Sequence, residues 1–257
     1  MTETCEREAW LYGPNAPAAA DAPSPEKKAT PKRAFRMILL GAPGVGKGTQ
    51  AELLCAKLGT NHLSTGDVFR AAKATDPEKL TPAMAKALGY MQKGELVPDD
   101  TVIDMVRERI DCLRSPHGFL LDGFPRTIPQ VEALDAMLDS IALKIDAVLN
   151  YELPLEQTVA RLGGRRTCRV CKVSYHIASK PPLVADVCDK CGGELYTRED
   201  DRPESIVVRM KAYEELTSPL VNYYQKKGIL INVLADGTPE EVFQKCLEQM
   251  HERFGDF

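Results

Sequence analysis

The chain has 257 residues, of which 44% are hydrophobic and 27% are charged. This is the composition of an ordinary globular protein, and the length suits one large domain with small insertions. No stretch approaches the roughly 20 consecutive apolar residues of a membrane-spanning helix. A formal net charge of −4 argues against a nucleic-acid-coating protein. The N-terminus has no apolar signal segment, so we expect a cytoplasmic protein with reduced cysteines and no membrane partner.

Residues 1–34 are rich in proline and alanine. They include five prolines and eight alanines, and their five acidic and five basic side chains cancel in charge. No apolar period is present that would bury one face of a helix or strand. We therefore expect a disordered leader, followed by a folded domain at 35–257.

Short apolar runs alternate with helical patterns from residue 35 onward. Strand-like runs lie at 35–40, 61–64, 118–121, 147–151 and 229–234. Helices are expected at 47–58, where Gly59 provides the end, at 99–114 and around 131–141, where apolar residues form one stripe. This alternation predicts an α/β fold with a parallel sheet and helices on both faces.

Two stretches interrupt that rhythm. The segment 64–98 is polar and helix-rich, and 164–201 is rich in glycine, cysteine and proline. They leave a core of 35–63, 99–163 and 202–257. We expect both to be insertions at the ligand-binding edge of the sheet.

Residues 41–49, GAPGVGKGT, carry the pattern G-x-x-x-x-G-K between a predicted strand and a predicted helix. Glycines let backbone N–H groups surround phosphate oxygens, the helix N-terminus adds partial positive charge, and Lys47 supplies a cation. The context predicts a phosphate-binding loop. Gly48 stands where serine or threonine is usual, so the hydroxyl moves to Thr49 and the common magnesium geometry is not expected.

Four of the eight cysteines lie within 24 residues. Cys168 and Cys171, then Cys188 and Cys191, form two C-x2-C pairs separated by sixteen residues. This spacing predicts a closed, tetrahedral and therefore structural metal site. In an insertion too small to bury a core, the metal replaces the missing hydrophobic stabilisation. Rubredoxin-like iron, a redox disulfide pair and an unmetallated loop are the alternatives to zinc.

Further sequence blocks follow the phosphate loop in order. They are LSTGD at 63–67 with Arg70, GELVP at 94–98, LLDGFPRT at 120–127 with Gln130, and Arg198 with Asp200 and Asp201. Together with the phosphate loop, these blocks closely resemble the adenylate kinase family in its long-lid form. The resemblance covers nearly everything after the leader. It implies a P-loop NTPase-type parallel sheet with an AMP-binding insertion at 64–98 and a zinc-binding lid at 164–201.

The same resemblance implies Mg²⁺-dependent, reversible transfer of a phosphoryl group from ATP to AMP, which yields two ADP. The implied ATP site is Gly44, Val45, Gly46, Lys47, Gly48, Thr49, Arg161, Arg165, Ser174, Tyr175 and Gly237. The implied AMP site is Thr65, Arg70, Glu95, Leu96, Val97, Gly123, Phe124, Pro125, Arg126, Gln130, Arg198 and Arg209. The implied catalytic residues are Lys47, Arg126, Arg165, Arg198, Arg209 and Asp122, of which Asp122 holds magnesium through water. The four lid cysteines would hold a structural Zn²⁺.

The residue types suit that chemistry. Two polyanions must meet, so the site needs cations, and the planar fork of arginine binds phosphate bidentately. The acceptor is itself a phosphate oxyanion, which makes a general base unnecessary. The histidines are therefore expected in packing or solvent roles; they are His62, His117, His176 and His251.

Other functions stay open at this point. A kinase that uses GTP or a pyrimidine monophosphate belongs to the same class; Thr65 and Gln130 match the adenine pattern of the family, and the long lid disfavours the pyrimidine enzymes. A zinc-ribbon nucleic-acid binder attached to an NTPase belongs to another class, and an acidic chain without an aromatic platform disfavours it. An inactive homologue is a third alternative. One chain holds every implied residue, so we expect a monomer.

Overall fold

The structure is a computed structural model that describes residues 7–13, 33–92 and 96–257. Its strands are β1 (Arg36–Leu40), β2 (Asn61–Ser64), β3 (Phe119–Asp122), β4 (Ala147–Glu152), β5 (Arg165–Cys168), β6 (Ser174–His176), β7 (Leu195–Tyr196) and β8 (Leu230–Leu234). Five of them form a parallel sheet in the order β2-β3-β1-β4-β8, and the others form an antiparallel sheet in the order β6-β5-β7. The predicted parallel α/β sheet is confirmed.

Helices surround the parallel sheet. They are α1 (Arg7–Tyr12), α2 (Lys47–Leu58), α3 (Thr65–Ala74), α4 (Pro82–Gln92), α5 (Asp99–Arg107), α6 (Ile110–Leu113), α7 (Ile128–Ser140), α8 (Leu155–Gly163), α9 (Pro203–Ala212), α10 (Pro219–Lys226) and α11 (Pro239–Phe254). A π-helical turn, Tyr213–Thr217, joins α9 to α10. Among the described residues, no helix combines the length and the apolar character that crossing a bilayer requires.

The central strand β1 buries both of its faces. Met37 and Leu39 pack with α2 and α11 on one side of the sheet. Ile38 and Leu40 pack on the other side, with residues from α3 to α7 and α10. A strand covered on both faces needs apolar residues at every position, which explains why β1 is a continuous apolar run and not an alternating one.

Strand pairing brings the phosphate loop and Asp122 to the same edge. β1 and β3 are neighbours, and Leu39 pairs with Asp122 in the parallel register. The next residue of β1, Leu40, leads directly into the loop. Ligands of open parallel sheets bind outside the carboxyl ends of such strands. The sheet therefore places a carboxylate beside the predicted phosphate site.

The expectation of a disordered leader is wrong for residues 7–13. These residues include α1, which packs against α3 and β2, and Trp10 is only 1% exposed. A six-residue helix is too short to show an apolar period, so the sequence pattern gave no sign of it. The rest of the expected leader, residues 1–6 and 14–32, lies outside the described residues, and 33–34 precede β1.

The helix predicted at 99–114 is interrupted. α5 ends at Arg107 and α6 begins at Ile110, while Arg109 has φ −117° and ψ 18°. The Arg109 side chain is 1% exposed, and its Nη1 donates to the carbonyl of Met105 at 2.6 Å. The buried guanidinium takes a carbonyl that a continuous helix would give to a backbone N–H, and this accounts for the break.

Among the described residues, Cys112 departs from the expectation of reduced thiols. Cys112, in α6, is disulfide-bonded. Disulfides are rare in reducing compartments, so this bond is a feature that the sequence reasoning did not anticipate. The four lid cysteines and Cys246 are free thiols.

Candidate active site

A cleft of about 2580 Å³ opens at the carboxyl edge of the parallel sheet. Pockets for a single small ligand usually measure about 300–1,000 Å³, so this cleft has room for two nucleotides. The predicted residues that line it are Gly44, Val45, Gly46, Lys47, Gly48, Thr49, Arg70, Leu96, Val97, Asp122, Gly123, Pro125, Arg126, Arg161, Arg165, Ser174, Tyr175, Arg198, Arg209 and Gly237. Thr65, Phe124 and Gln130 are buried. Glu95 lies outside the described residues.

The phosphate loop depends on glycines in left-handed conformations. Gly44 has φ 88° and Gly46, the residue before α2, has φ 109°. A Cβ on Gly44 would lie 2.7 Å from the Thr158 carbonyl oxygen, so a side chain is excluded there sterically as well. The tight curl directs the N-terminus of α2 at the cleft, where unpaired N–H groups and the helix dipole attract phosphate.

Lys47 sits inside the curl of this loop. Its Nζ donates to the carbonyls of Gly41 at 2.6 Å and Ala42 at 3.0 Å. Burial lowers the pKa of Lys47 to about 8; nearby Asp122 pulls that pKa upward, and the positive charge of Arg126 pushes it further down. The ammonium therefore stands in a strongly cationic cleft that favours an anionic ligand.

Asp122 is ionised at the floor of the cleft. Burial alone would raise the pKa of Asp122, but contact with the His62 imidazole and the charges of Lys47 and Arg126 lower it to about 2. His62 Nε2 lies 3.4 Å from Asp122 Oδ2. His62 is half-buried beside an active-site carboxylate, so its expected role in packing or solvent is too narrow.

Asp201 holds two of the predicted catalytic arginines. Arg165 donates to both carboxylate oxygens, through Nε at 2.7 Å and Nη2 at 2.5 Å. Arg209 Nη1 donates to Asp201 Oδ1 at 3.1 Å and also lies 3.1 Å from Asp200 Oδ2. The Asp201 side chain is fully buried. The bidentate pair fixes the plane of the Arg165 guanidinium, and the bonds to Asp200 and Asp201 hold one end of the Arg209 guanidinium, so both arginines are restrained before a phosphate arrives.

Arg198 is anchored to the lid strands. Its Nε donates to Thr167 Oγ1 at 2.8 Å, and its Nη2 donates to Ser174 Oγ at 3.4 Å. Burial, together with the positive charges of Arg165 and Arg70, lowers the pKa of Arg198 to about 10. Ser174, which the resemblance assigned to the ATP site, thus orients an arginine of the same cleft.

Arg161 joins two loops beside the phosphate loop. Its Nη1 donates to the Val45 carbonyl at 3.3 Å, while its Nη2 donates to the carbonyls of Ala235 at 3.1 Å and Gly237 at 3.4 Å. The guanidinium therefore ties the phosphate loop to the turn after β8. This explains why Gly237, distant in sequence, lines the same cleft.

The other side of the cleft is formed by the residues around β2 and β3. Arg126 Nε donates to the Gly123 carbonyl at 2.7 Å, and Arg70 pairs with Asp67 on α3. Gly123 has φ 84°, and a Cβ there would lie 2.7 Å from Thr65 Oγ1. The close packing of this turn brings two arginines from different elements to the predicted acceptor side.

Gln130 is held in one orientation by two partners. Its Nε2 donates to Asp99 Oδ1 at 2.6 Å, and its Oε1 accepts the backbone N–H of Arg126 at 2.8 Å. A carboxylate can only accept and a peptide N–H can only donate. The amide therefore cannot turn by 180° without losing both bonds.

The four lid cysteines converge. Their Sγ atoms all lie within 4.8 Å of one another, and the Cys168–Cys191 and Cys171–Cys188 pairs are each 3.5 Å apart. Four sulfurs at the usual Zn–S distance of about 2.3 Å lie roughly 3.8 Å apart in a tetrahedron, so the arrangement fits a tetrahedral ion. The lid's own core adds little beyond Tyr175 and Leu195.

Tyr175 contributes mainly to the lid. Its side chain is 6% exposed, its hydroxyl accepts the backbone N–H of Asp189 at 2.9 Å, and it lies 3.5 Å from Cys188 Sγ. The ring packs beside the cysteine cluster. Although Tyr175 reaches the cleft wall, its hydroxyl is committed to the metal-binding loop.

Known adenylate kinases are similar to this chain over most of its length. The profile of the adenylate kinase family matches residues 39–229. An adenylate kinase of Carboxydothermus hydrogenoformans is 51% identical over 209 residues, which cover 81% of this chain and 96% of the relative. An adenylate kinase of Archaeoglobus fulgidus is 50% identical over 206 residues, with 80% and 92% covered.

The chain belongs to the adenylate kinase family. It is therefore a nucleoside monophosphate kinase with adenine nucleotides as substrates, and the enzyme class and family predicted from the sequence are confirmed. Adenylate kinases use Mg²⁺ with the nucleotide, and the four-cysteine cluster is compatible with zinc.

Sequence reasoning missed three residues that hold other residues of the adenylate kinase site in place. They are Asp99, Asp201 and His62. Asp99 follows Pro98 as the first residue of α5, and Asp201 appeared in a family block without a role. His62 was set aside because no general base is needed. Each acts through a neighbour that is distant in sequence, so no local pattern marks it.

The pKa of Lys47 predicts how donor capture depends on pH. The value of kcat/KM for MgATP follows ionisations of the free enzyme, so it should fall as pH rises through about 8, where the ammonium loses its proton. The measurement is an initial-rate series from pH 6 to 10. In Lys47→Arg, whose charge persists across this range, the inflection near pH 8 should vanish. An inflection that survives in this variant would assign it to another group.

The cysteine cluster predicts the effect of removing one thiolate. Cys168→Ser should lose its bound metal and melt at a temperature lower by roughly 5 °C or more, because metal-binding energy is folding energy for the lid. Metal analysis and calorimetry measure both. Cys55→Ser, on α2 outside the lid, is the matched control and should keep its metal. Unchanged metal content and melting in Cys168→Ser would contradict a structural site.

Proposed function

We propose that this adenylate kinase transfers the γ-phosphoryl group of ATP reversibly to AMP and so forms two ADP, with Mg²⁺ bound to the nucleotide. The observation that carries this proposal is the convergence of five cationic side chains on one cleft that also contains the phosphate loop. They are Lys47, Arg126, Arg165, Arg198 and Arg209. Transfer between two polyanions needs this density of positive charge because charge spreads over the phosphoryl oxygens in the transition state.

The donor binds at the phosphate loop in this proposal. N–H groups of residues 44–49 surround the β- and γ-phosphates, and Lys47 exchanges its two carbonyl partners for phosphate oxygens. Arg161 and Gly237 lie beside the loop and suit contacts to the rest of ATP. Arg165, oriented by Asp201, faces the transferring group.

The acceptor binds on the other side, against the turns that follow β2 and β3. Arg70 and Arg126 bind the phosphate of AMP, while Thr65 and Gln130 adjoin the adenine. Leu96 and Val97 belong to the lining of this side of the cleft. Phe124 is 1% exposed, so it contributes to AMP binding through its backbone and the turn that it supports.

The reaction step requires no proton transfer by a side chain. The attacking group is an oxygen of the AMP phosphate, which is mostly deprotonated at neutral pH. It attacks the γ-phosphorus in line as the bond to the β-phosphate oxygen breaks, and Arg198 and Arg209 neutralise the charge on the equatorial oxygens. The enzyme's contribution is orientation and electrostatic stabilisation.

Magnesium and zinc have separate places in this proposal. Asp122 is ionised and offers the hard oxygen ligands that Mg²⁺ prefers, so it would hold the ion through water. When bound, Mg²⁺ neutralises charge on the β- and γ-phosphates. The lid cysteines would hold Zn²⁺, whose full set of four thiolates leaves no position for substrate.

Two segments exclude water from the transfer. We assign 64–98, which contains α3 and α4, to the AMP-binding insertion and 164–201, which contains β5 to β7, to the zinc lid. Lids that close on substrate prevent hydrolysis of the donor. The core of the enzyme is then 35–63, 99–163 and 202–257.

We also infer a cytoplasmic monomer that binds no nucleic acid. The free lid thiols suit a reducing compartment, although the disulfide at Cys112 is unusual there. One chain supplies both halves of the cleft, so no second subunit is needed to complete it. The net charge of −4 gives no general attraction for nucleic acid.

The decisive experiment follows diphosphate formation by the full chain with MgATP and AMP, GMP, CMP or UMP in turn. We expect rapid ADP formation with AMP. Lys47→Met should lower kcat by about 10²–10³-fold, as when a transition-state donor is removed. Lys57→Met, an exposed lysine of the same helix, is the matched control and should keep full activity. Phosphate release without transfer to AMP would instead indicate a hydrolase.

Asp99 predicts a change in acceptor selectivity. Adenine offers a donor at N6 and an acceptor at N1, which the fixed amide of Gln130 complements, whereas guanine offers the reverse polarity. Asp99→Asn removes one of the two groups that fix the amide, because asparagine can also donate, and leaves the Arg126 N–H alone to hold its orientation. The AMP to GMP ratio of kcat/KM should fall by about two- to tenfold, the value of one hydrogen bond. Asp100→Asn, an exposed neighbour, should leave the ratio unchanged; equal ratios in both variants would contradict this role.

A further inference from the structure

Trp10 is buried where the proposed AMP-binding insertion joins the core. Its ring is 1% exposed and belongs to the hydrophobic cluster that includes Leu63 and Val68. Its indole Nε1 donates to the Ser64 carbonyl at 3.0 Å. A buried indole N–H needs an acceptor, and here the acceptor is a backbone group at the end of β2. The contact therefore fixes a point on the main chain as well as filling space.

Ser64 is the junction between β2 and α3. It is the last residue of β2 and the N-cap of α3, where its Oγ accepts the Asp67 N–H at 3.2 Å. Thr65 follows immediately, and Arg70 lies further along the same helix. Fixing the Ser64 carbonyl thus fixes the start of the helix that carries two proposed AMP-binding residues.

Arg109 secures the other end of the N-terminal segment. Its Nε donates to the Trp10 carbonyl at 2.6 Å, and its Nη2 donates to the Leu11 carbonyl at 3.4 Å. The last carbonyls of a helix have no partner within it, and a buried guanidinium has donors but no acceptors. Each group satisfies the other, and Gly13 packs against both Arg109 and Thr81 at the start of α4.

This segment lies outside the part of the chain that resembles its relatives. The family profile begins at residue 39, whereas α1 ends at Tyr12. The adenylate kinase of Carboxydothermus hydrogenoformans is covered to 96% by a match that leaves about a fifth of this chain unaligned. Trp10 therefore contacts the matched part of the chain from a segment that the family profile does not match.

We propose that residues 7–13 form an N-terminal strap that holds the Ser64–Thr65 turn, and that Trp10 is a positioning residue for the acceptor nucleotide. The strap connects Ser64, through Trp10, to Arg109 between α5 and α6. It packs against α3 and β2 and restrains the first turn of α3 in the geometry that AMP requires. This inference rests on the AMP site proposed above.

The test is steady-state kinetics of the full chain with Trp10→Phe, which keeps an aromatic ring but removes the N–H donor. KM for AMP should rise about three- to tenfold, while kcat and KM for ATP stay within twofold. Tyr12→Phe, which removes a hydroxyl from the same helix, should match the wild type in all three constants. An unchanged KM for AMP, or equal rises in both KM values, would overturn the proposal.

A second measurement needs no folded variant. Trp10 is the only tryptophan of the chain, so its fluorescence reports on the strap alone. AMP added to the wild-type protein should change this emission saturably, whereas MgATP should not. If saturating AMP leaves the tryptophan emission unchanged, the proposed role of the strap is refuted even if the enzyme is active. A wild type that forms no ADP from ATP and AMP would instead refute the proposed function.

Discussion

Mutual repulsion among cations is the constraint on which the site depends. Lys47, Arg126, Arg165 and Arg209 are close enough for each arginine to depress the pKa of the lysine. The fold counters this repulsion with a few carboxylates, chiefly Asp122 and the buried Asp201. Asp201 is fully buried and bonded to two guanidiniums, so it compensates charge while it leaves the outer donors of both arginines for ligand. Binding of phosphate then relieves a repulsion that the empty protein carries.

The two sheets position these charged side chains in different ways. The parallel sheet is buried on both faces and rigid, and it fixes the phosphate loop and Asp122 by register. The small antiparallel sheet buries few apolar side chains and lies beside the four clustered cysteines. Its hydrophobic cluster is separate from the two clusters that cover the parallel sheet. Both sheets contribute arginines to the one cleft: Arg126 follows β3 of the parallel sheet, and Arg198 follows β7 of the small sheet.

Local signals in the sequence were sufficient for the five strands of the parallel sheet and for the motifs. The glycine pattern before Lys47, the apolar strands and the cysteine spacing each specify their structure within a few residues, and the strand positions agree with the structure to within one or two residues. The interruption at Arg109 and the burial of Trp10 could not be predicted in this way. Trp10 contacts Ser64 and Arg109, which lie 54 and 99 residues away, so only the folded chain brings these groups together. The role of Asp99 could not be predicted for the same reason, because its partner Gln130 lies 31 residues away. The individual roles of the ligand-contacting residues stay predictions.

Helix α8 is in close contact with the phosphate loop. It leads from the core into the lid, and near that end Leu162 is so close to Gly44 that an added Cβ would lie 2.6 Å from its Cγ. The helix thus packs directly against the phosphate loop at Gly44. A side chain at residue 44 would collide with Thr158 and Leu162, so any larger residue there would force α8 away from the phosphate loop. The glycine that lets the chain curl around an anion therefore also allows α8 to pack directly on the phosphate loop.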